Sequence, residues 1–336
     1  MPHTADRLTR YTQKSKGERY NMLRSMYSGI SGLKNFQTKL DVIGNNISNV
    51  NTYGFKKGRV VFKDLISQTQ AGATGPTMAT GGVNAKQVGL GSQLAAIDTI
   101  HGTGALQTTG RKLDMAMEGE GFFVVGKYNK GANALVTNFE EVSYTRAGNF
   151  YLDGNGVLVD GNGNYVAGYG KTTETGDGSL EPVTMDNSAT DLPTFAKETN
   201  ADKGLIGSIK TSGKIKIPTD AQEMSITEDG KVTYVDSNGQ LRYAGQLVIA
   251  KFPNAEGLSK QGSNYYINTP NSGEPQFGAG NVFGIGKTVS GALEMSNVDL
   301  SEEFTEMIVA QRGFQATSRI ITTSDEILQE LVNLKR

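Results

Sequence analysis

A chain of 336 residues with 37% hydrophobic content has the apolar material for at least one core and the length for two or three domains. Its 33 Lys+Arg against 34 Asp+Glu leave a net charge of -1, which removes the basic footprint of a nucleic-acid binder or of a surface held to anionic lipid. Partners are therefore expected to be proteins. With no cysteine, thiol nucleophiles, disulfides and cysteine zinc sites are excluded, and 43 glycines beside 8 prolines predict many tight turns without a proline-rich linker.

Residues 1–21 are polar and basic, with Arg7, Arg10, Lys14, Lys16 and Arg19 and almost nothing to bury. They are predicted to be a disordered extension, and Met22 stands as an alternative translation start. No stretch approaches the ~20 apolar residues of a membrane span, and the opening segment has no apolar run of signal-peptide type. Membrane insertion is not expected, and export would not use the general secretory route.

From residue 22 to residue 50 the apolar positions fall at helical spacing. Leu33, Phe36, Leu40, Ile43, Ile47 and Val50 are separated alternately by three and four residues, the rule of a coiled-coil seam. Gly29, Gly32 and Gly44 each cost ~1 kcal/mol relative to Ala inside a helix, so close approach by another backbone is the expected reason for them. Residues 51–91 read as a connector, Gly/Thr/Ala-rich from Thr69 to Gly91.

Residues 92–172 and 215–296 change to a period of two. Leu113, Met115 and Met117 alternate with other side chains, as do Val232 with Tyr234 and Leu241 with Tyr243. Asn155-Gly156, Asn162-Gly163 and Asn238-Gly239 sit where hairpins would turn, so antiparallel β structure is predicted. The polar residues 173–214 read as an insertion.

Residues 297–336 mirror the first helical segment. Leu293, Leu300, Met307, Phe314, Ile321 and Leu328 repeat every seventh residue, and Phe304, Ile308, Leu331 and Leu334 widen the stripe. Asp299 followed by Glu302 is a capping-box-like start, placing a helix from about Leu300 to Leu334. The fold class is thus α+β: a discontinuous antiparallel β-rich middle flanked by coiled-coil-like terminal helices. Pairing the two helices within one chain would bury one face of each and leave Ile30, Ile308, Ile320 and Ile327 exposed, so copies of the chain are expected to cover them. An ordinary core in which the helices fold back on the β body is the alternative.

Site-like patterns carry little. Gly286-Lys287-Thr288 ends like a P-loop, but Asn281 stands where that motif needs Gly. Asp160, Asn162 and Asn164 resemble the start of a calcium loop, yet Tyr165 and Lys171 stand where Gly and Glu are required, and two hairpin turns explain the segment. Of the two histidines, His3 lies in the polar extension and His101 reads as a solvated or strand-end residue. The carboxylate pairs Glu118/Glu120 and Glu302/Glu303 read as solvated surface. No catalytic, metal or cofactor site is expected.

The stretch LDVIGNNISNVNTYGFKK, from Leu40 to Lys57, resembles the signature of the axial rod and hook proteins of the bacterial flagellum, with Asn45, Asn46, Asn49, Asn51, Thr52, Gly54 and Phe55 carrying the motif. TGRKLDMAMEGEGFFVV, from Thr109 to Val125, and the stretch from Glu294 to Arg336 are similar to the start of that family's middle domain and to its C-terminal helix. The resemblance implies a structural, non-enzymatic subunit: terminal helices of many copies form an inner tube and the β domain an outer layer. SNVDLSEEFTEMIVAQRGFQ and the ending ELVNLKR resemble hook members most, which implies a flexible universal joint passing torque from rod to filament. A distal rod subunit is the alternative, and a secreted β-rich adhesin or glycan-binding module, using Tyr165, Tyr169, Tyr265 and Tyr266, is the alternative of another class. Implied partners are further copies, the rod, the hook cap, the hook-filament junction proteins and the flagellar export apparatus. The implied location is the extracellular flagellum, reached without a cleaved signal peptide.

Overall fold

The computed structural model describes residues 4–78, 81–128, 139–169, 183–184, 212–282 and 284–333; side chains of 4–24 and of residues 140, 183–184, 212 and 331 are outside the description. The chain divides into two units. The first comprises residues 1–48, 58–99 and 299–336, and the second residues 49–57 and 100–298.

In the first unit, helix α1 spans Thr4–Ser48 and helix α2 spans Leu300–Asn333. Strands β1 (Gly58–Asp64) and β4 (Ser92–Thr99) pair antiparallel, as do β2 (Ser67–Ala71) and β3 (Lys86–Gly89). The helices run antiparallel against each other, because Gly29 faces Ile321, Gly32 faces Thr317 and Gly313 faces Phe36. Asp299 starts α2 as expected: its Oδ1 accepts the N–H groups of Ser301 at 2.8 Å and Glu302 at 3.4 Å.

Two expectations change here. Residues 4–21 were expected to be disordered, and their backbone is helical. Ala5, Arg7, Leu8, Arg10, Gln13, Lys14 and Lys16 are good helix formers, and lengthening an existing helix needs no new nucleus. The segment read as a connector, residues 51–91, instead carries β1, β2 and β3, and β4 belongs with the helices and not with the β-rich body. Its many small, uncharged residues hide this, because neither ladder buries a full face.

The second unit is antiparallel throughout its described pairs. Its strands are β5 (Leu106–Thr108), β6 (Met115–Glu118), β7 (Phe122–Tyr128), β8 (Phe139–Thr145), β9 (Tyr151–Leu152), β10 (Leu158–Val159), β11 (Tyr165–Tyr169), β12 (Val183–Thr184) and β13 (Ser212–Lys214). They continue as β14 (Glu223–Ile226), β15 (Lys231–Val235), β16 (Leu241–Leu247), β17 (Ile249–Lys251), β18 (Ser259–Gly262), β19 (Tyr265–Ile267), β20 (Gln276–Gly278), β21 (Lys287–Ser290) and β22 (Ala292–Glu294). The main path of hydrogen-bonded strands is β14-β15-β16-β11-β7-β8-β19-β18. Strand β7 has a core on both faces: Phe123 and Val125 join Met115, Met117 and Phe150, while Phe122 and Val124 join Tyr144, Val248 and Phe252. Leu293, read from its spacing as the start of the seven-residue repeat of α2, is instead buried in strand β22, ahead of the helix. Of the insertion read at 173–214, only 183–184 and 212–214 lie within the described residues; they pair with β16 and β11.

The three Asn-Gly turns form as expected, with Gly156, Gly163 and Gly239 at positive φ and each donating its N–H to an Asp carbonyl three residues earlier. At Asp160 the side chain is occupied by the turn itself. Its Oδ1 accepts the N–H groups of Asn162 and Asn164, both at 2.9 Å, and its Oδ2 accepts the Tyr265 hydroxyl. Lys287 and Thr288 lie in a regular strand paired with β6, with no phosphate-binding loop geometry.

Candidate functional site

The family-like motif crosses from one unit into the other, and it latches each separately. In the first unit Asn46 of α1 is 2% exposed. Its Nδ2 donates to Gly58 O at 2.9 Å and to Glu303 Oε2 at 3.2 Å, and its Oδ1 accepts Gly58 N at 2.9 Å. One amide thus joins α1, β1 and α2, satisfying polar groups that the seam would otherwise bury unpaired. Glu303, read from sequence as solvated surface, is buried for this reason.

In the second unit the motif forms two successive turns. Asn49 O accepts Thr52 N at 3.1 Å, and Thr52 O accepts Phe55 N at 3.2 Å. Gly54 adopts φ +70, and a Cβ there would stand 2.6 Å from Ala147 N, so only glycine fits. These turns carry Lys56 into a cluster with no exposure of its side chain. Lys56 Nζ lies 2.5 Å from Glu294 Oε1 and 2.8 Å from Gly102 O, while Arg146 Nη1 lies 3.2 Å from Glu294 Oε2. Gly104 N also donates to Glu294 Oε1, at 2.9 Å.

Two cations share one carboxylate there. Desolvation pulls the Lys56 ammonium below its usual range, against the opposing attraction of Glu294. His101 packs edge-on against Phe122 and Tyr266, with centroids 5.4 and 5.2 Å away. Both its ring nitrogens are buried without a hydrogen-bond partner, and burial, reinforced by Lys56, Arg146 and Lys260, lowers its pKa to about 4. His101, read from sequence as a solvated or strand-end residue, does follow the end of β4, but it is a neutral ring in an aromatic and cationic pocket and not a solvated one. Glu118 and Glu120 are paired with Lys287 at 3.1 Å and Lys251 at 2.9 Å.

The rest of the motif is on the surface or in a groove. Asn45 is exposed, and Asn49, Asn51, Thr52 and Tyr53 line a groove of about 630 Å³ with Asp160 and Tyr265. Of the four tyrosines considered for sugar stacking, Tyr169 and Tyr266 are buried in the core, so their faces cannot serve.

The seam residues, expected to meet other copies, lie on two helices that pair within one chain. Ile43 is buried, and Leu33, Phe36, Leu40, Ile47, Met307, Phe314, Ile321 and Leu328 are half-buried. Val50 lies past the end of α1 in the turn, and Leu300, at the first turn of α2, is exposed. The side chain of Leu331 lies outside the described residues. Sequence reasoning missed the second column of the seam: Glu303, Ala310, Thr317 and Ser324, also seven apart, of which Glu303, Ala310 and Ser324 are buried. Small and polar side chains give no apolar signal; their constant spacing was the clue. Gly29 and Gly32 do lie against α2, and Gly313 makes room for the Phe36 ring, whereas Gly44 has no neighbour within 4 Å of a Cβ position.

A second stripe on α2 flanks this seam, with Ile320 Cγ2 3.8 Å from the Cβ position of Gly29 on α1. Val309, Ala316, Ile320 and Ile327 are spaced by seven, four and seven, and Val309, Ile320 and Ile327 are 59%, 45% and 48% exposed. Phe304 and Ile308 are exposed beside it. Among the described residues no group of three His, Cys, Asp or Glu could hold a metal ion, and no helix is long and apolar enough to cross a membrane.

A helix with two apolar stripes, an internally latched motif and side chains committed to packing define a structural protein built for assembly. Residues 289–334 match the family described as flagellar basal body rod FlgEFG protein C-terminal, residues 116–234 the flagellar hook protein FlgE/F/G D1 domain, and residues 26–56 the flagella basal body rod protein family. The chain is 52% identical to the flagellar basal-body rod protein FlgG of Bacillus subtilis, over 94% of this chain and all of the relative. It is 32% identical to the flagellar hook protein FlgE of Borreliella burgdorferi, over 94% of this chain and all of that one. A solved Helicobacter pylori hook protein, FlgE2, is similar over 56% of this chain and all of its own, at 12% identity and a TM-score of 0.36. The chain belongs to the flagellar rod and hook axial family, whose members are structural and not enzymes.

Proposed function

We propose that this chain is the subunit of the flagellar hook, polymerising into a bendable tube that passes torque from rod to filament. The observation that carries the axial part of this reading is the second stripe on α2. A helix already paired with α1 still presents Val309, Ile320 and Ile327 to solvent, which suits a second helix from another copy. The half-exposed first seam supports the same reading. The hook assignment rests on the likeness of the C-terminal helix and its ending to hook members. The inner helical contacts would hold copies together while polar contacts of the β-rich unit slide as the tube curves. Its partners would be the rod, the hook cap and the hook-filament junction proteins, and its route outward the flagellar export apparatus.

A second reading, distal rod subunit, is favoured by the 52% identity to a rod protein over that relative's full length. Electron microscopy of cells lacking the gene separates the two. Basal bodies ending at a complete rod support the hook, basal bodies with a truncated rod support the distal rod, and filaments on normal hooks sink both. The assembly mechanism has its own test in the double variant Val309→Asp with Ile327→Asp. It should leave the monomer folded, by circular dichroism, and abolish tubes; normal tubes from it would refute the second-stripe contact.

A further inference from the structure

The groove beside the motif carries chemistry that packing does not use. It encloses about 630 Å³, within the ~300–1,000 Å³ of small-molecule sites, and lies wholly in the β-rich unit. Among the described residues five asparagines and three tyrosines line it, and Asp160 is the one charged residue in the lining. That carboxylate is committed to its own turn. Its Oδ1 accepts the N–H groups of Asn162 and Asn164, and its Oδ2 accepts the Tyr265 hydroxyl and, at 3.3 Å, the Asn164 amide. With its acceptor directions filled, the groove offers no free carboxylate to a cationic ligand, and its lining offers no cation to an anionic one.

The walls are fixed before anything binds. Amides of Asn162 and Asn164 hold the Tyr265 hydroxyl at 2.7 and 3.1 Å, and Asn264 Nδ2 donates to Tyr53 O at 2.9 Å. Two amides stay uncommitted within this frame. The side chains of Asn51, which is exposed, and Asn149, which is half-buried, make no hydrogen bond among the described residues. Each presents a donor and an acceptor side by side, the pattern that a pair of neighbouring hydroxyls complements. Tyr151 adds an aromatic surface. The Arg111 guanidinium lies over its ring, 4.4 Å from the centroid, and the residue is still 43% exposed. A ring held in this way loses little freedom when a ligand stacks on it.

The ligand that fits is uncharged, edged with paired hydroxyls, and has a C–H face able to lie on an aromatic ring. Those are the properties of a sugar. We propose that this groove binds a short neutral oligosaccharide, with one sugar ring stacked on Tyr151 and hydroxyls paired with the amides of Asn51 and Asn149. The site uses no residue of the α2 stripe, and it does not depend on whether the polymer is hook or rod.

The folded, full-length monomer is titrated by calorimetry with three neutral probes, cellotetraose, maltotetraose and N-acetylchitotetraose. Deacetylated chitotetraose and tetragalacturonate serve as the cationic and anionic counterparts. At least one neutral probe should bind, roughly tenfold more tightly than either charged one. Tyr151→Ala, and the double variant Asn51→Ala with Asn149→Ala, should each weaken that binding roughly tenfold with little change in the urea midpoint, while Tyr151→Phe should retain it. No binding of any neutral probe, tighter binding of a charged one, or an affinity untouched in both variants overturns the inference. Loss of tubes in both variants, with none of the sugars bound by the wild-type monomer, would show that the groove receives polypeptide and overturn it as well.

Discussion

Lys56 and Glu294 stand 238 residues apart in the chain and meet at 2.5 Å with neither side chain exposed. The segment that begins the β-rich unit is thereby tied to the strand that ends it. Removing one member of such a pair strands a buried charge, which costs ~3–5 kcal/mol. Lys56→Met and Glu294→Gln should each lower the midpoint of urea unfolding strongly, with Glu294→Gln the worse because it also leaves Arg146 without its carboxylate. The double variant should lose much less than the sum. Additive losses would show that the two side chains do not act as a unit.

His101 supplies a pH dependence. Its folded pKa of about 4 lies below the ordinary value of 6.5, so the folded state favours the neutral ring and the unfolded state binds the proton more readily. Stability from this group is complete above pH 6.5 and is lost as pH falls from 6.5 toward 4, by at most about 3 kcal/mol. Lys56, Arg146 and Lys260 face it with positive charge, which keeps the proton off. In His101→Phe the slope of unfolding free energy between pH 6.5 and 4 should flatten, measured by urea titration at each pH. An unchanged slope would assign the acid sensitivity to carboxylates elsewhere.

Gly54 is the motif residue least open to substitution. Gly54→Ala forces a side chain into the left-handed region, at ~1–3 kcal/mol, and also drives its Cβ into Ala147 N. The expected readout is a lower unfolding midpoint together with faster amide exchange at residues 52–57. The control is Gly44→Ala, where nothing lies within 4 Å and the change should stabilise α1 by roughly 1 kcal/mol.

Asn46 has a role that neither its size nor its charge suggests. Asn46→Ala leaves Gly58 N and O and one Glu303 oxygen short of partners, a loss of ~1–3 kcal/mol for each buried group left unpaired. Asn46→Asp should be worse above the carboxylate pKa, because it sets a second negative charge against Glu303. Hydrogen exchange should speed up first in the opening turns of α2. Protection unchanged in both variants would refute the clamp.

Much of this was legible from residue spacing. The a/d rhythm of Leu33 to Ile47 and the sevenfold repeat of Met307 to Leu328 located both helices, because helical periodicity is a property of sequence alone. The Asn-Gly turns were equally local. Glu303, Lys56, Arg146 and His101 were not legible. A buried ionic group has the same sequence signature as a solvated one until its partners, tens to hundreds of residues away, are placed beside it. The β2–β3 pair was hidden for a different reason: an exposed ladder of Gln, Thr and Gly has no buried face to impose an alternation.

Two apolar-striped helical ends, an antiparallel β-rich middle and the signature of a flagellar axial subunit can all be read along the chain. Periodicity, turn chemistry and a long motif are all written in contiguous residues. That the motif is an internal latch, that small and polar residues complete the helical seam, and that α2 keeps a second apolar stripe exposed beside its partner is visible only in the folded molecule. These depend on which distant residues meet, and so on how the polar groups of Asn46, Lys56 and Glu294 are satisfied once water is removed.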